Sequence, residues 1–265
     1  MDLHRNALPT SATRILLPSA LPFLILLAVW WVATAFGGIP EVFLPSPLSV
    51  LESLATGFAD GSLLRDMAVS AARVFGGFLV SFLLAVPLGV AAGLSNTTRS
   101  YIEPLNDFIR YIPVPAMVPL IILWFGLGNI SQVAVIVFGT LPQLIVLIAD
   151  AISRMPQYVR ELCQSLQLRR LETLWHAVLP YSGPQVYDGS RVAIGWAWSY
   201  LLVAEVVGAT HGLGQAIVVA QRFLQTPRVV AAILLVALIG LTVDFVMRKL
   251  YPVFFPWVSE VRQAS

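Results

Sequence analysis

The sequence predicts an all-α polytopic membrane protein with six transmembrane helices. Mean hydropathy is +0.82, and charged residues make up 11% of the chain against about 25% in soluble domains. So little polar material cannot cover a water-facing surface. Long apolar runs recur without the two-residue alternation of barrel strands; helices therefore satisfy the backbone in hydrocarbon, where every amide needs an internal partner. Basic residues also gather in alternate connecting segments, as the positive-inside rule requires.

A span needs about 20 apolar residues to cross ~30 Å of hydrocarbon. Leu16 to Phe36, Val69 to Leu94, Ile130 to Ala149, Val192 to Val207 and Val229 to Met247 meet or nearly meet that length. The remaining run, around Ile112 to Leu127, is short and carries Pro113, Pro115 and Pro119, which makes it the weakest span. A re-entrant hairpin formed with the next run is its alternative, and leaves the loops on the same sides. The first run contains "ATA" at Ala33 to Ala35, but it exceeds the ~7 to 15 residue core of a signal peptide and is read as a helix.

Placing the N-terminus inside puts Arg5, Arg14, Arg99, Arg110, Arg154, Arg160, Arg169, Arg170, Arg191, Arg248, Lys249 and Arg262 on inner segments. Only Arg65, Arg222 and Arg228 fall outside, with Arg73 inside the second span. The expected arrangement is a cytoplasmic tail over 1–15, a membrane domain over 16–250 with a cytoplasmic loop at 150–191, and a cytoplasmic tail over 251–265. The expected location is the bacterial inner membrane with both termini cytoplasmic.

Catalytic chemistry is missing from the pattern. A phosphate loop of the type G-x-x-x-x-G-K-[ST] needs a lysine, and the only one, Lys249, sits in "MRKLY". His4, His176 and His211 show no H-E-x-x-H spacing, so no metal site is expected. There is no G-x-S-x-G. Asp150 and Asp244 lie near predicted cytoplasmic ends, where solvated boundary carboxylates are the plain reading. Single Cys163 excludes an internal disulfide. Neither enzyme, cofactor nor nucleic-acid partner is expected; membrane lipid is.

The loop after the fourth span is too long for a mere connection. Val159, Leu162 and Leu166, then Leu171, Leu174, Trp175 and Val178, recur at three and four spacing and predict two short amphipathic helices. Pro156 suits the first turn of one, and Pro180 is expected to stop the other.

These residues resemble a known pattern. Glu, two small residues, three variable ones, Gly, then an aliphatic and Leu-Pro further on is similar to the EAA loop of ATP-binding-cassette (ABC) importer permeases. Here it reads Glu161, Leu162, Cys163, then Gln167, then Ala177, Leu179 and Pro180. "SRVAIGWAWSYLLVAEVVGATHGLG", "LPSPLSVLESL" and "IPVPAMVPLIILWFGLGN" extend the likeness from Phe43 to about Trp257. The chain resembles the binding-protein-dependent branch serving nitrate, taurine, alkanesulfonate and bicarbonate. That resemblance implies a type I ABC importer permease fold and a pathway for a small anionic solute of the nitrate, sulfonate or taurine kind. It implies coupling through Glu161, Cys163, Gln167, Leu168, Arg169, Arg170, Leu179 and Pro180 to a separate ATP-binding subunit in two copies. A second permease copy and a periplasmic or lipid-anchored solute-binding protein are implied too.

The departures are specific. Gln167 stands where the pattern has a glycine, so a left-handed turn there costs roughly 1 kcal/mol or more. Leu162 and Cys163 are bulkier than the usual pair, and Arg169 replaces a small polar residue that caps the second helix. Arg169 and Arg170 suit a more acidic cleft on the ATPase; the plainer alternative has them facing water and lipid phosphates.

Within the membrane, Glu205 costs about 2.5 to 3.5 kcal/mol if left unpaired in lipid, and Arg73 lies at comparable depth. A structural ion pair, a pathway contact and independent snorkelling are the alternatives. Gly76, Gly77, Gly89, Gly93 and Gly195 suit close helix packing, and Leu44 to Phe58 reads as a helix on the outer surface. Rival readings are a stand-alone channel or secondary carrier, and a membrane anchor that recruits an ATPase.

Overall fold

The computed structural model describes residues 13–258, with the side chains of 13–20 and of Arg170 left aside. Much of both expected tails, including Arg5 and Arg262, lies outside the described residues. Four helices are long and apolar enough to cross a bilayer: Ser62–Leu94, Asn129–Ser153, Leu171–Gly208 and Thr226–Phe254. The expected count of six is not reached by this measure. The first helix, α1 (Thr13–Phe36), shows only Leu21–Phe36 as a described apolar stretch. The weak run is not a straight span. An amphipathic helix, α4 (Asn96–Arg110), precedes it and meets α5 (Val114–Phe125) at 94°. Pro113 causes the bend, since its ring disfavours helical geometry in the preceding residue. With α5 rising only about 18 Å, it needs α4 to make up any crossing.

The remaining elements are α2 (Pro47–Ala59), α3 (Ser62–Leu94), α6 (Asn129–Ser153), α7 (Gln157–Ser165), α8 (Arg170–Thr173), α9 (Leu179–Gly208), α10 (Leu213–Arg222) and α11 (Thr226–Phe254). Helix α2 starts on Pro47, with the Ser46 hydroxyl accepting from the Ser49 N–H at 3.1 Å. The Trp30 indole donates to the Pro45 carbonyl at 2.9 Å and ties α1 to it. Asp60 then accepts from the Ser62 N–H at 2.8 Å, and hydrogen bonds from Ser62 hold its carboxyl below the ordinary value.

Helix α6 is the hub. Its ridge of Ile136, Thr140, Ile148 and Ile152 lies in a groove of small residues on α3. A Cβ on Gly77, Gly89 or Gly93 would come within 2.7–2.8 Å of Ile136, Ile148 or Ile152, and Thr140 and Ser81 hydrogen-bond between the two at 2.6 Å. Residue numbers rise together along this seam, so α3 and α6 are parallel. On its other face α6 opposes α9 antiparallel, with Gly139 under Tyr200 and Gly189 under Leu147.

The boundary aspartates are not merely solvated. Asp150 pairs with Arg99 at 3.0 Å, and Asp244 pairs with Arg191 at 2.7 Å and with Arg248. Each carboxylate ties two helices together at a bundle end, which a lone hydrated aspartate does not.

Pro180 does not stop the second short helix. A π-helical turn, Leu174–Val178, joins α8 to α9, and the Leu179 N–H reaches back to the Leu174 carbonyl. The wider turn shifts the hydrogen-bond register so that Pro180 falls at the first turn of α9, where its missing N–H is no loss. Residues 179–191 of the expected loop are thus the start of a long helix. Likewise α11 runs through Pro252 to Phe254, past the tail boundary expected at 251.

Candidate functional site

Two sites stand at the two ends of α9. The first is the elbow formed by α7, a tight turn and α8. Helix α7 closes with paired reverse hydrogen bonds, the Leu168 N–H to the Cys163 carbonyl at 3.1 Å and the Gln167 N–H to the Gln164 carbonyl at 2.9 Å. This closure places its central residue in the left-handed region, and Gln167 has φ +50°. The missing small cap is compensated from the other side: Glu172 accepts from the Arg169 N–H at 2.7 Å, which is one half of a capping box.

The apolar stripe of the elbow straddles its boundary with the bundle, so it does not act as one face. On α7, Val159 and Cys163 turn inward, while Leu162 and Leu166 fall to the other side of the stripe and point away. Beyond the turn, Leu174 and Val178 pack inward, whereas Leu171 and Trp175 are 70% and 65% exposed. Arg169, Leu179 and Pro180 are exposed and Leu168 is half-buried; the Arg170 side chain lies outside the described residues. Glu161 is exposed, accepts from the Gln157 amide at 2.8 Å, and lines a polar cleft of about 460 Å³ with Arg99 and Arg160. The elbow therefore keeps one edge fixed to the bundle and presents an unpartnered apolar edge beside cationic side chains.

At the far end of α9 the structure brings Arg73 and Glu205 together at 2.7 Å, with side chains 7% and 0% exposed. Each nitrogen of the guanidinium and each oxygen of the carboxylate has a hydrogen-bond partner. Ser70 donates to Glu205 at 2.8 Å and the Gly214 N–H donates at 2.9 Å. Arg73 donates to Asn129 Oδ1 at 2.9 and 2.7 Å and to the His211 carbonyl at 2.7 Å. Asp66 accepts from the Gly212 N–H at 2.9 Å, and Ser70 accepts from the Leu213 N–H at 2.9 Å. The Glu205 carboxylate thus caps the N-terminus of α10, where negative charge suits the helix dipole. Gly212 and Gly214 are required by this approach, since a Cβ on either would collide with Glu205.

Sequence reasoning named the two charges but not Ser70, Asn129, Gly212 or Gly214. A signal was available in Asp66, Ser70 and Arg73, polar residues at three and four spacing that mark one face of a helix beginning before Val69. Among the described residues no group of three His, Cys, Asp or Glu is placed to hold a metal ion.

An apolar bundle of long helices, with its charges paired at both ends, defines a polytopic membrane protein. The chain belongs to the family of binding-protein-dependent transport system inner membrane components, whose model matches residues 85–254. It is 33% identical over 243 residues to the taurine transport system permease protein TauC of Escherichia coli (strain K12), covering 90% of this chain and 88% of that one. It is 29% identical over 233 residues to the putative aliphatic sulfonates transport permease protein SsuC of Bacillus subtilis (strain 168), covering 88% and 84%. The fold is similar to the inward-facing MetNI methionine ABC transporter, with TM-score 0.60 and 19% identity over 71% of this chain and 95% of that one. An amino acid ABC transporter crystallised with histidines gives TM-score 0.59 at 14% identity, covering 77% and 97%. The chain is the permease subunit of an ABC importer, an integral inner-membrane protein that is not itself an enzyme.

Proposed function

We propose that the α7–α8 elbow is the handle through which a cytoplasmic ATPase drives this permease, and that the cargo is a small sulfonate-like anion. The observation that carries the reading is the exposed apolar edge of Leu162, Leu166, Leu171 and Trp175 on a helix pair whose other edge is anchored in the bundle. Short rigid helices seat such an edge in a groove, while Arg169 and Arg170 steer it toward acidic residues. Glu161, Cys163, Gln167 and Leu168 set the geometry of the turn, and Leu179 and Pro180 join it to α9.

In this reading the elbow end is cytoplasmic and the ion-pair end faces outward. Two copies of the chain stand over two ATP-binding subunits, with the pathway between the copies. Closure of the ATPases draws the elbows together and tilts the bundles, and a solute-binding protein delivers cargo at the outer end. The taurine and aliphatic-sulfonate relatives support a sulfonate.

The test is uptake into liposomes. Permease, ATPase and binding protein together should import taurine or a short alkanesulfonate only with ATP, and the permease alone should import nothing. ATP-independent uptake by the permease alone would overturn the reading. Reversing Arg169 and Arg170 to glutamate should weaken ATPase binding at least tenfold in low salt; unchanged binding removes the acidic-cleft part of the proposal.

A further inference from the structure

We propose that Gln132 is a positioning residue for transport: it takes the Arg73 guanidinium over from Asn129 when α6 advances one turn along α3, and so fixes the second access state of the permease. The inference rests on the two access states of the reading above.

Gln132 is a buried polar residue with nothing to hold. It is 2% exposed, and among the described residues neither its Nε2 nor its Oε1 has a hydrogen-bond partner. Buried amides are otherwise paired almost without exception, so an orphaned one calls for a partner that arrives in another arrangement. Its position says which. Gly77 lies against Ile136, Gly89 against Ile148 and Gly93 against Ile152, and Ser81 meets Thr140. The same offset carries Arg73 to Gln132, each one turn before the Gly77–Ile136 contact. The Arg73 side chain leans toward the start of its helix, as helical side chains do, and therefore reaches Asn129, one turn short of Gln132, at 2.9 and 2.7 Å.

Asn129 and Gln132 share a face of α6, being three residues apart. An advance of α6 toward its own N-terminal end by one turn, about 5 Å, puts Gln132 where Asn129 now stands. The Gln132 Oε1 then accepts from the guanidinium and its Nε2 donates to the Glu205 carboxylate. Both orphaned atoms gain partners, and the ion pair persists.

The seam is built to take that step. Its groove presents a small residue on every turn, Gly77, Ser81, Ala85, Gly89 and Gly93, all buried. The ridge of α6 therefore meets the same kind of surface after moving one place, and one-turn jumps of this sort switch packed helices between discrete arrangements. The Thr140–Ser81 hydrogen bond across the seam is expendable. Ser81 also donates to the Gly77 carbonyl at 2.8 Å, and the Ile136 carbonyl stands 2.7 Å from the Thr140 hydroxyl, so each keeps a partner within its own helix.

The experiment uses the complete permease–ATPase complex in nanodiscs, in a Cys163→Ser background, with cysteine pairs that read the register. Ser81→Cys with Thr140→Cys reports the register described above, and Ser81→Cys with Leu144→Cys reports the advanced one. Under copper phenanthroline the two cross-links should form in opposite nucleotide states, one without nucleotide and the other with a non-hydrolysable ATP analogue. Adding Gln132→Leu should cut the advanced cross-link at least fivefold and leave the first unchanged. In liposomes Gln132→Leu should hold or raise the unfolding temperature, since two orphaned groups disappear, and lower ATP-driven uptake at least fivefold. A Ser81–Leu144 cross-link that forms in neither nucleotide state, or equally in both, overturns the proposal. So does a Gln132→Leu protein that leaves that cross-link intact or transports at the parental rate. Failure of the parent complex to import with ATP would instead sink the two-state reading beneath it.

Discussion

Arg73 and Glu205 are each costly in hydrocarbon, and a buried pair gains little over a well-packed apolar one. Removing a single partner is the severe change, because a charge is then left buried with its hydrogen bonds unmade. Arg73→Met or Glu205→Leu alone should lower stability by about 3 to 5 kcal/mol. Joining Arg73→Met to Glu205→Leu should cost clearly less than the sum. Thermal unfolding of the four proteins in detergent measures the coupling, and additive losses would show that the two charges act independently. Gln167 gives the opposite sign. Its φ of +50° is a conformation that glycine adopts freely, so Gln167→Gly should stabilise the elbow by about 1 kcal/mol. Slower hydrogen exchange over α7 and α8 would register the gain, and faster exchange would count against it. Both positions were legible as residues that break their surroundings, a charge in an oily run and a glutamine where the resemblance implies glycine. The partners were not legible. Asn129, Gly212 and Gly214 meet the ion pair only after α3, α6, α9 and α10 have closed around it, and nothing local marks that closure.

Among the elements, the α3–α6 seam shows how a bundle is held without a hydrophobic effect between helices. Lipid tails are as apolar as the side chains, so association rests on close approach and dispersion. The small residues of α3, Gly77, Ser81, Gly89 and Gly93 among them, permit that approach along the seam. Gly89→Ala would place a Cβ 2.7 Å from Ile148 and 3.0 Å from the Ile145 carbonyl. Since the carbonyl belongs to the backbone, the helices must part, and a loss of about 1 to 3 kcal/mol is expected. Ile148→Ala in the same protein should not recover it, because alanine keeps the Cβ that stands 2.7 Å away and the backbone contact remains. Return of the unfolding temperature to the parental value in the double variant would refute that assignment. The glycines were read as packing residues from composition alone, but their partners and the parallel direction required the fold. Polar residues hid the beginning of α3, whose apolar run begins only at Val69. The run of α10 was too short and too mixed to announce itself, and Pro180 misled because a π-helical turn placed it where proline is harmless.

At the scale of the molecule, α9 runs from one site to the other as a single helix. It leaves the elbow at Leu179, carries Glu205 near its far end, and at 30 residues spans about 45 Å. Composition and charge asymmetry made the membrane class plain from the sequence, because they integrate over the whole chain. The continuity of α9 was not plain, because Pro180, Pro184 and a string of small and polar residues interrupt its hydropathy. That continuity carries a consequence for coupling. If the elbow's displacement reaches the ion-pair end through a stiff rod, softening the rod should separate hydrolysis from transport. Val192 and Ser199 lie on the exposed side of α9, away from its packed face. Changing both to glycine costs about 0.5 kcal/mol each in helix propensity and removes no core contact. The double variant should bind ATPase normally and hydrolyse ATP at the parental rate, yet move several-fold less solute per ATP in liposomes. Reversal of Arg169 and Arg170 fails differently, since it lowers binding itself and so lowers hydrolysis and uptake together. A glycine variant in which uptake and hydrolysis fall in proportion would mean that the force travels by another route, with α6 and its seam to α3 the next path to break.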